Sequence, residues 1–165
     1  MESTNNQNAE SKTKLAECEI KLRHAEIRRL RRRNYRYSSQ PFGTFYYKFY
    51  GKMDWLAAKK TCESDGAKLP VPRSIEENNF FGKLAREKNR YIWLGINDIT
   101  KDGEFVDLDG IPISFQNWNK GEPNNYMGKD EDAVVLQGGM HFDQLLILTI
   151  ELCVMSFDIR NTENV

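Results

Sequence analysis

The stretch GEPNNYMGKDED, Gly121–Asp132, places four carboxylates and two adjacent asparagines within twelve residues. Like charges at such short separations repel, so gathering them in a folded loop costs free energy unless a positive charge lies among them. The plain alternative is a solvated acidic loop, because loops are commonly polar and exposed. The stretch therefore indicates either a cation site or a solvent-facing loop.

The remainder of the chain has the composition of a folded domain with an extension. Of its 165 residues, 39% are apolar and 12% aromatic, which supports a packed core rather than disorder. The formal net charge is zero, but residues 1–40 carry ten Lys/Arg and five Asp/Glu, whereas residues 41–165 carry fourteen and nineteen. A basic arm is thus joined to an acidic body. The longest apolar run, Leu145–Ile150, is too short to cross a bilayer.

The N-terminal arm predicts a disordered start, residues 1–12, followed by a basic helical segment, residues 13–37. Helix-favouring Ala, Leu, Glu, Lys and Arg dominate residues 13–33. Two interpretations stay open, a solvated basic helix or a short oligomerising neck. The neck is suggested by an apolar stripe in alternating four- and three-residue steps, which Arg23 interrupts: Ala16, Ile20, Ile27 and Leu30.

The Arg-rich run RRLRRR at residues 28–33 could instead form a nucleic-acid or nuclear-import patch. No folded nucleic-acid-binding motif accompanies it, so nucleic acid is not expected as a partner.

The second part of the chain predicts an α+β domain over residues 41–158, with a tail at 159–165. Asp54 can cap a helix, WLAAKKTCES, and the capping-box pattern at Ser74–Glu77 predicts a second helix to about Lys88. Short strands are predicted between Gly, Asp and Asn turns, at FYYKFY, IWLGI, EFVDL, ISFQNW and AVVL. Helices followed by a run of strands are typical of an α+β fold.

The order of these motifs resembles the C-type lectin-like domains, most of all the carbohydrate-recognition domain of mannose-binding proteins. The resemblance covers about residues 44–140 and rests on KKTC, PR…EN, WLGI, GEFVDLDG, FQNWNKGEPNN and DEDAVVL in this order. It implies a C-type lectin fold with two helices, small antiparallel sheets and long calcium-binding loops, here preceded by the basic N-terminal helix.

The resemblance assigns the acidic loop to calcium, a hard cation that takes six to eight oxygen ligands. It implies that Glu122, Asn124, Glu131 and Asp143 bind both the sugar-binding Ca²⁺ and the sugar. Pro123 is expected to follow a cis peptide bond. An accessory calcium site is implied at Asp98, Asp102, Asn125, Glu131 and Asp132, although Asp98 and Asp102 could instead be simple turn formers.

The Glu-Pro-Asn sequence implies a preference among glycans. In this family it accompanies mannose, fucose and N-acetylglucosamine, whose vicinal hydroxyls are equatorial, whereas Gln-Pro-Asp accompanies galactose. The chain has the former sequence at Glu122–Asn124.

The resemblance breaks down after Met140. Where the family has Trp-Asn-Asp, this chain has His141-Phe142-Asp143. Phe142 offers no amide oxygen to calcium and no donor to a sugar hydroxyl, so one metal ligand and one sugar contact are lost together. Residues from about 141 onward are either a diverged domain end or alternative coding sequence.

The cysteines depart from the family as well. Ala133 and Leu146 stand where the family's inner disulfide is expected. The outer bridge is still predicted between Cys62 and Cys153, with two free buried thiols as the alternative, and Cys18 has no assigned role.

The leading hypothesis is a non-enzymatic, Ca²⁺-dependent, mannose-type glycan-binding domain, weakened by Phe142. The alternative is a C-type-lectin-like protein-interaction domain that binds no sugar. No nucleophile–base pair suggests an enzyme. The N-terminus MESTNNQNAESK has no apolar core of a signal peptide, yet the resemblance implies a secreted or extracellular protein. A homo-oligomer through residues 13–33 is expected in the neck interpretation.

Overall fold

A computed structural model describes residues 2–32, 36–40, 43–87 and 91–144. The chain divides into two compact units, residues 1–36 and residues 37–165. The first unit is one long helix, α1, Glu2–Arg32. It begins at Glu2, ahead of the predicted start of the helical segment at residue 13. Extending an established helix by one residue needs no new nucleation, and an acidic first turn suits the helix dipole.

The second unit contains two helices whose starts follow from their sequences. Helix α2 is Trp55–Ser64, as predicted, and the Asp54 side chain accepts a hydrogen bond from Ala57 N at 2.8 Å. Helix α3 is Ile75–Glu87, where Ser74 Oγ accepts from Glu77 N at 3.3 Å. Both caps satisfy amide groups that have no partner inside the helix.

The described strands form two sheets. A two-stranded sheet joins β1, Arg36–Gln40, to β2, Gly43–Tyr47. A four-stranded antiparallel sheet has the order β4-β3-β5-β6. Its strands are β3, Ile92–Asn97; β4, Val106–Asp107; β5, Ala133–Gln137; and β6, Met140–Gln144.

The core lies between α3 and this four-stranded sheet. Every residue of β3 and the first four residues of β5 are buried, as expected for strands covered on both faces. They pack against apolar side chains of α3 such as Phe81 and Leu84. The α+β C-type lectin fold expected from the sequence is confirmed in this arrangement.

Two strand predictions differ from the structure. The predicted strand ISFQNW, residues 113–118, is not a strand. Pro112, just before it, forms an isolated bridge with Val106, and Trp118, its last residue, forms one with His141. Strand β6 was not predicted, although Met140–Asp143 alternates between apolar and polar residues. The alternation is the reverse of the usual one, because the polar residues His141 and Asp143 are buried and Met140 is exposed. The strand pairs with β5 in register from Ala133↔Gln144 to Gln137↔Met140, and this pairing positions the site.

Candidate functional site

The acidic loop is attached to strand β6 through one carboxylate. Asp143 Oδ2 accepts hydrogen bonds from the main-chain N–H groups of Asn124, at 2.9 Å, and Asn125, at 2.8 Å. These groups directly follow Pro123, and the Glu122–Pro123 peptide bond is cis, as the resemblance implies. The predicted residues Glu122, Asn124 and Asp143 are therefore brought to one place, which we call the sugar side.

Burial and neighbouring like charges both disfavour the ionised form of the carboxylates on the sugar side. Asp143 is 1% exposed, and its second oxygen, Oδ1, is buried with no hydrogen-bond partner. Burial of the Glu122 carboxyl raises the pKa of Glu122 to about 7, reinforced by a hydrogen bond between the Glu122 and Asp143 side chains and by the negative charges of Asp143 and Glu131. A buried acceptor without a donor is costly, as are neighbouring like charges. A cation bound here would relieve both costs.

A second group, the accessory side, gathers the carboxylates that follow strand β3. Asp98 is 3% exposed; its Oδ2 accepts from Gly103 N at 2.8 Å, whereas its Oδ1 is buried without a partner. Burial raises the pKa of the Asp98 carboxyl, although the Gly103 amide opposes the shift, and the charges of Asp132 and Asp102 raise it further. Asp98 N also donates to the Asp132 main-chain oxygen at 3.2 Å. The bond from Gly103 N fits the turn-former alternative, whereas the buried Oδ1 without a partner fits a cation site.

Two residues connect the sides. Asn125 donates through Nδ2 to Asp102 Oδ1 at 2.8 Å and accepts through Oδ1 from Glu131 N at 2.9 Å. Glu131 Oε2 in turn accepts from Tyr126 N at 2.8 Å. Asn125 adopts a left-handed backbone, with φ of 44°, which asparagine tolerates better than most residues. All eight residues that the sequence singled out for metal binding therefore lie in these two linked groups.

The position of β6 depends on a polar network that the sequence analysis did not identify. Asn78 of α3 donates from Nδ2 to Gly139 O at 2.6 Å, and its Oδ1 lies 2.8 Å from His141 Nε2. Asn117 Nδ2 donates to the same Gly139 oxygen at 2.6 Å. His141 is fully buried, and this burial lowers its pKa to about 4, so the ring is neutral at neutral pH. The network holds the start of β6 against α3.

A close approach beside that network explains one glycine. A Cβ on Gly82 would lie 2.9 Å from the Gly139 Cα, so helix α3 and the β5–β6 turn meet without room for a side chain. One local signal for the turn is the Gly138–Gly139 pair, whose φ angles are 60° and 100°. Nothing in the spacing of Asn78, Asn117 and His141 could have revealed that they meet.

Phe142 lies half-buried between two fully buried neighbours, His141 and Asp143. Successive side chains of a strand point to opposite faces, so position 142 lies on the other face of β6 from Asp143. Its main chain pairs with Val135. The predicted loss of an oxygen ligand therefore concerns a side chain on the face of β6 opposite to the Asp143 carboxylate.

The donor set suits calcium better than a softer metal, because every candidate ligand offers oxygen. As they stand, no three His, Cys, Asp or Glu side chains within residues 2–32, 36–40, 43–87 and 91–144 are close enough together to hold a metal ion. Instead, one oxygen of each of Asp98, Asp143 and Glu131 accepts a hydrogen bond from a main-chain amide. The two partnerless oxygens, one per side, are the positions where the residues fit a hard cation.

Of the three cysteines, Cys18 and Cys62 lie within the described residues. Cys62 is fully buried on α2, and Cys18 is free and exposed on α1. Cys153 and Leu146 lie outside the described residues, together with the predicted strand around them and the tail. The bridge between Cys62 and Cys153 stays a prediction.

A two-helix α+β domain with a cis-proline acidic loop docked on its sheet defines the class of C-type lectin-like domains. The family model "Lectin C-type domain" matches residues 51–144, and the chain belongs to this family.

Curated relatives agree with this assignment. CD209 antigen of Symphalangus syndactylus is 33% identical over 117 residues, which cover 69% of this chain and 30% of the relative. CD209 antigen of Homo sapiens is 32% identical over the same share of this chain and 29% of its own length. The chain thus spans less than a third of the length of the curated relatives it matches.

Solved structures share the fold. The cow CD23 carbohydrate-recognition domain superposes with a TM-score of 0.64 at 28% identity, covering 74% of this chain and 92% of that one. The Kupffer cell receptor Clec4f gives a TM-score of 0.72 at 23% identity, covering 89% and 97%, and its likeness shows the fold alone. Among the described helices, none has the length and apolar character that spanning a membrane requires.

Proposed function

We propose that this domain binds mannose-type glycans through Ca²⁺ and that its affinity is reduced by Phe142. The observation that carries the proposal is the pair of buried, partnerless carboxylate oxygens, Asp143 Oδ1 and Asp98 Oδ1. Each belongs to a different predicted calcium site, and each lies beside further carboxylates. Protein interiors seldom leave such acceptors without a partner, so a bound cation accounts for both.

The sugar-side residues would act together on one glycan. Calcium, when bound, supplies a Lewis-acidic point that accepts two vicinal hydroxyls. Glu122 and Asn124 would accept and donate hydrogen bonds to those hydroxyls, and Asp143 would hold Asn124 in place through its main-chain N–H. Glutamate before proline and asparagine after it favour the equatorial pair of mannose, fucose and N-acetylglucosamine. The related cow CD23 domain was solved in the presence of a GlcNAc2Man3 oligosaccharide, which supports this choice.

Elution from immobilised mannan tests the preference. In Ca²⁺, mannose should release the wild-type protein, galactose should not, and EGTA should release it completely. The double variant Glu122→Gln, Asn124→Asp should shift elution toward galactose. Glu87→Gln, which changes an exposed carboxylate at the end of α3, is the matched control and should behave as wild type. Equal elution by both sugars would refute the argument from the Glu-Pro-Asn sequence.

A second candidate function is supported by the exposed tip of the same loop. Tyr126 and Met127 are 59% and 78% exposed, and Met127 has a left-handed backbone with φ of 59°. Exposed apolar side chains are common in protein-binding surfaces. Together with Phe142 they favour a protein-interaction domain without sugar binding. Absence of retention on mannan, with calcium binding intact, would select this alternative.

We further propose an extracellular location and a non-enzymatic role, both by family membership. Self-association through residues 13–33 is supported by the exposure of Leu15, Ile20 and Leu22, at 62%, 51% and 66%. The solved Clec4f structure is described as trimeric. Light scattering of the intact chain, compared with an Ile20→Gln, Ile27→Gln variant that interrupts the apolar stripe, measures the oligomeric state directly.

A further inference from the structure

Helix α1 carries a second apolar face besides the stripe that suggested an oligomerising neck. Its members follow one another in steps of three, four and three residues: Leu15, Cys18, Leu22 and Ala25. Such steps place side chains on one side of an α-helix. All four are exposed, Leu15 and Leu22 by 62% and 66%. We call this set the leucine face, and it is an apolar surface open to solvent.

The leucine face suits a helix–helix contact better than the predicted stripe. Steps of three and four residues are the pattern of a coiled-coil seam, in which Leu15 and Leu22 take one type of contact position and Cys18 and Ala25 the other. No charged residue stands at these four positions. In the predicted stripe, by contrast, Arg23 occupies a contact position, and enclosing its charge between two helices costs free energy.

The two edges of the leucine face carry opposite charges. One edge carries Lys14 and Lys21. The other edge carries Glu19 and Glu26. In a parallel pair in register, each lysine meets the glutamate five residues further along the other helix, whereas in an antiparallel pair lysine meets lysine and glutamate meets glutamate. The charges therefore select a second copy of the same helix, in parallel orientation.

We propose that α1 pairs in parallel and in register with α1 of a second copy of the chain, through the leucine face. This inference rests on the proposed self-association and deepens it by naming the face, the orientation and the charged contacts. Both lectin domains then follow from the same end of the helix pair. A glycan with several branches can engage two domains at once, which raises its apparent affinity.

The exposed thiol of Cys18 reports which face is in contact. In a leucine-face pair the two Cys18 side chains meet across the seam. Oxidised glutathione then takes up two electrons and two protons from the two thiols and leaves as two reduced molecules, while one disulfide joins the copies. The matched variant Cys18→Ser, Ile20→Cys moves the thiol to a contact position of the predicted stripe, which points away from the seam of a leucine-face pair.

The rate of dimer formation, followed on non-reducing gels with the intact chain, compares these two proteins. Wild type should cross-link at least about tenfold faster than the variant, because its thiols are held at a high effective concentration. Circular dichroism checks that α1 persists in both. Faster cross-linking of the variant would assign the contact to the predicted stripe and overturn the proposal. Equal rates would also overturn it, since they indicate random collision.

Reversal of the edge charges tests the orientation in the reduced protein, with sedimentation equilibrium as the measurement. Lys14→Glu with Lys21→Glu should weaken association at least about tenfold at low salt, because attraction becomes repulsion at every contact of the two edges. Adding Glu19→Lys and Glu26→Lys should restore it. Absence of this rescue would contradict the parallel pairing. A wild-type chain that stays monomeric would contradict self-association itself, whereas an oligomer without cross-linking at Cys18 and without rescue would contradict the leucine face alone.

Discussion

The accessory side and the sugar side of the acidic loop differ by one oxygen donor. Each contains an aspartate with one oxygen bonded to main-chain amides and one buried oxygen without a partner, Asp98 and Asp143. The accessory side has oxygen-bearing residues at the five positions assigned to it, so this site is mostly present by the resemblance, whereas the sugar side has Phe142 where an amide is expected. Under the proposed function, the loop keeps its folded arrangement while one of its two cation sites is impaired.

The largest expected effect comes from substituting Asp143 and Asp98 separately, because the two sides should then differ in calcium-dependent mannose binding. Asparagine can still accept from the main-chain amides, but its NH₂ group would then face the cation position. Asp143→Asn should therefore reduce calcium-dependent mannose binding by about 100-fold, near the upper value for losing one charged contact. Asp98→Asn should reduce it by less than tenfold. Isothermal titration with mannose in saturating Ca²⁺ measures both.

A structural role for these aspartates predicts a different result. If they only held the loops together, both variants would melt earlier with or without calcium. In our account each variant is at least as stable as wild type in EGTA, because a buried negative charge with one partnerless oxygen has been removed. Only the calcium-induced stabilisation should decrease.

Calcium itself should stabilise the fold by a measurable amount. Binding to the native state alone contributes about 2.7 kcal/mol when the free ion is at 100 times its Kd. For a domain of this size the melting temperature should rise by roughly 5–10 °C. Differential scanning fluorimetry in Ca²⁺ and in EGTA gives the shift, and Mg²⁺ serves as the control ion. An unchanged midpoint at millimolar calcium would contradict the cation account of both sides.

Loss of the Asn78 hydrogen bonds that hold the start of β6 should have a smaller effect, on the free energy of unfolding. Asn78→Ala removes the hydrogen bonds to His141 and Gly139 and leaves buried polar groups without partners, at a cost of about 1–3 kcal/mol. Asn79→Ala, an exposed neighbour on the same helix, should cost less than about 0.5 kcal/mol. Urea unfolding compares the two variants. Equal stability of both would show that the network does not anchor β6.

The two regions also differ in how far the sequence could predict them. The caps at Asp54 and Ser74, the helix α2 and the buried strand β3 follow from local patterns, and the structure confirms them. The acidic loop could be assigned because its ligands are close in sequence. Strand β6 could not, because its place depends on contacts from Asn78 and Asn117, which are 63 and 24 residues away from His141. No local period encodes such contacts.

The most direct test of the account is a titration of wild type and Phe142→Asn, first with calcium and then with mannose. Asp143 already contacts the loop that carries Asn124, whereas position 142 lies on the opposite face of β6, so a gain also requires that the new amide reach the loop past the strand. One side chain would serve both ligands, so both affinities should increase together, by about 1.5–3 kcal/mol or roughly tenfold to a hundredfold. Phe142→Ala removes the ring without adding an oxygen and should show no such gain. Improvement in neither affinity for Phe142→Asn, with its fold intact, would contradict an impaired lectin site and favour a domain that binds no sugar.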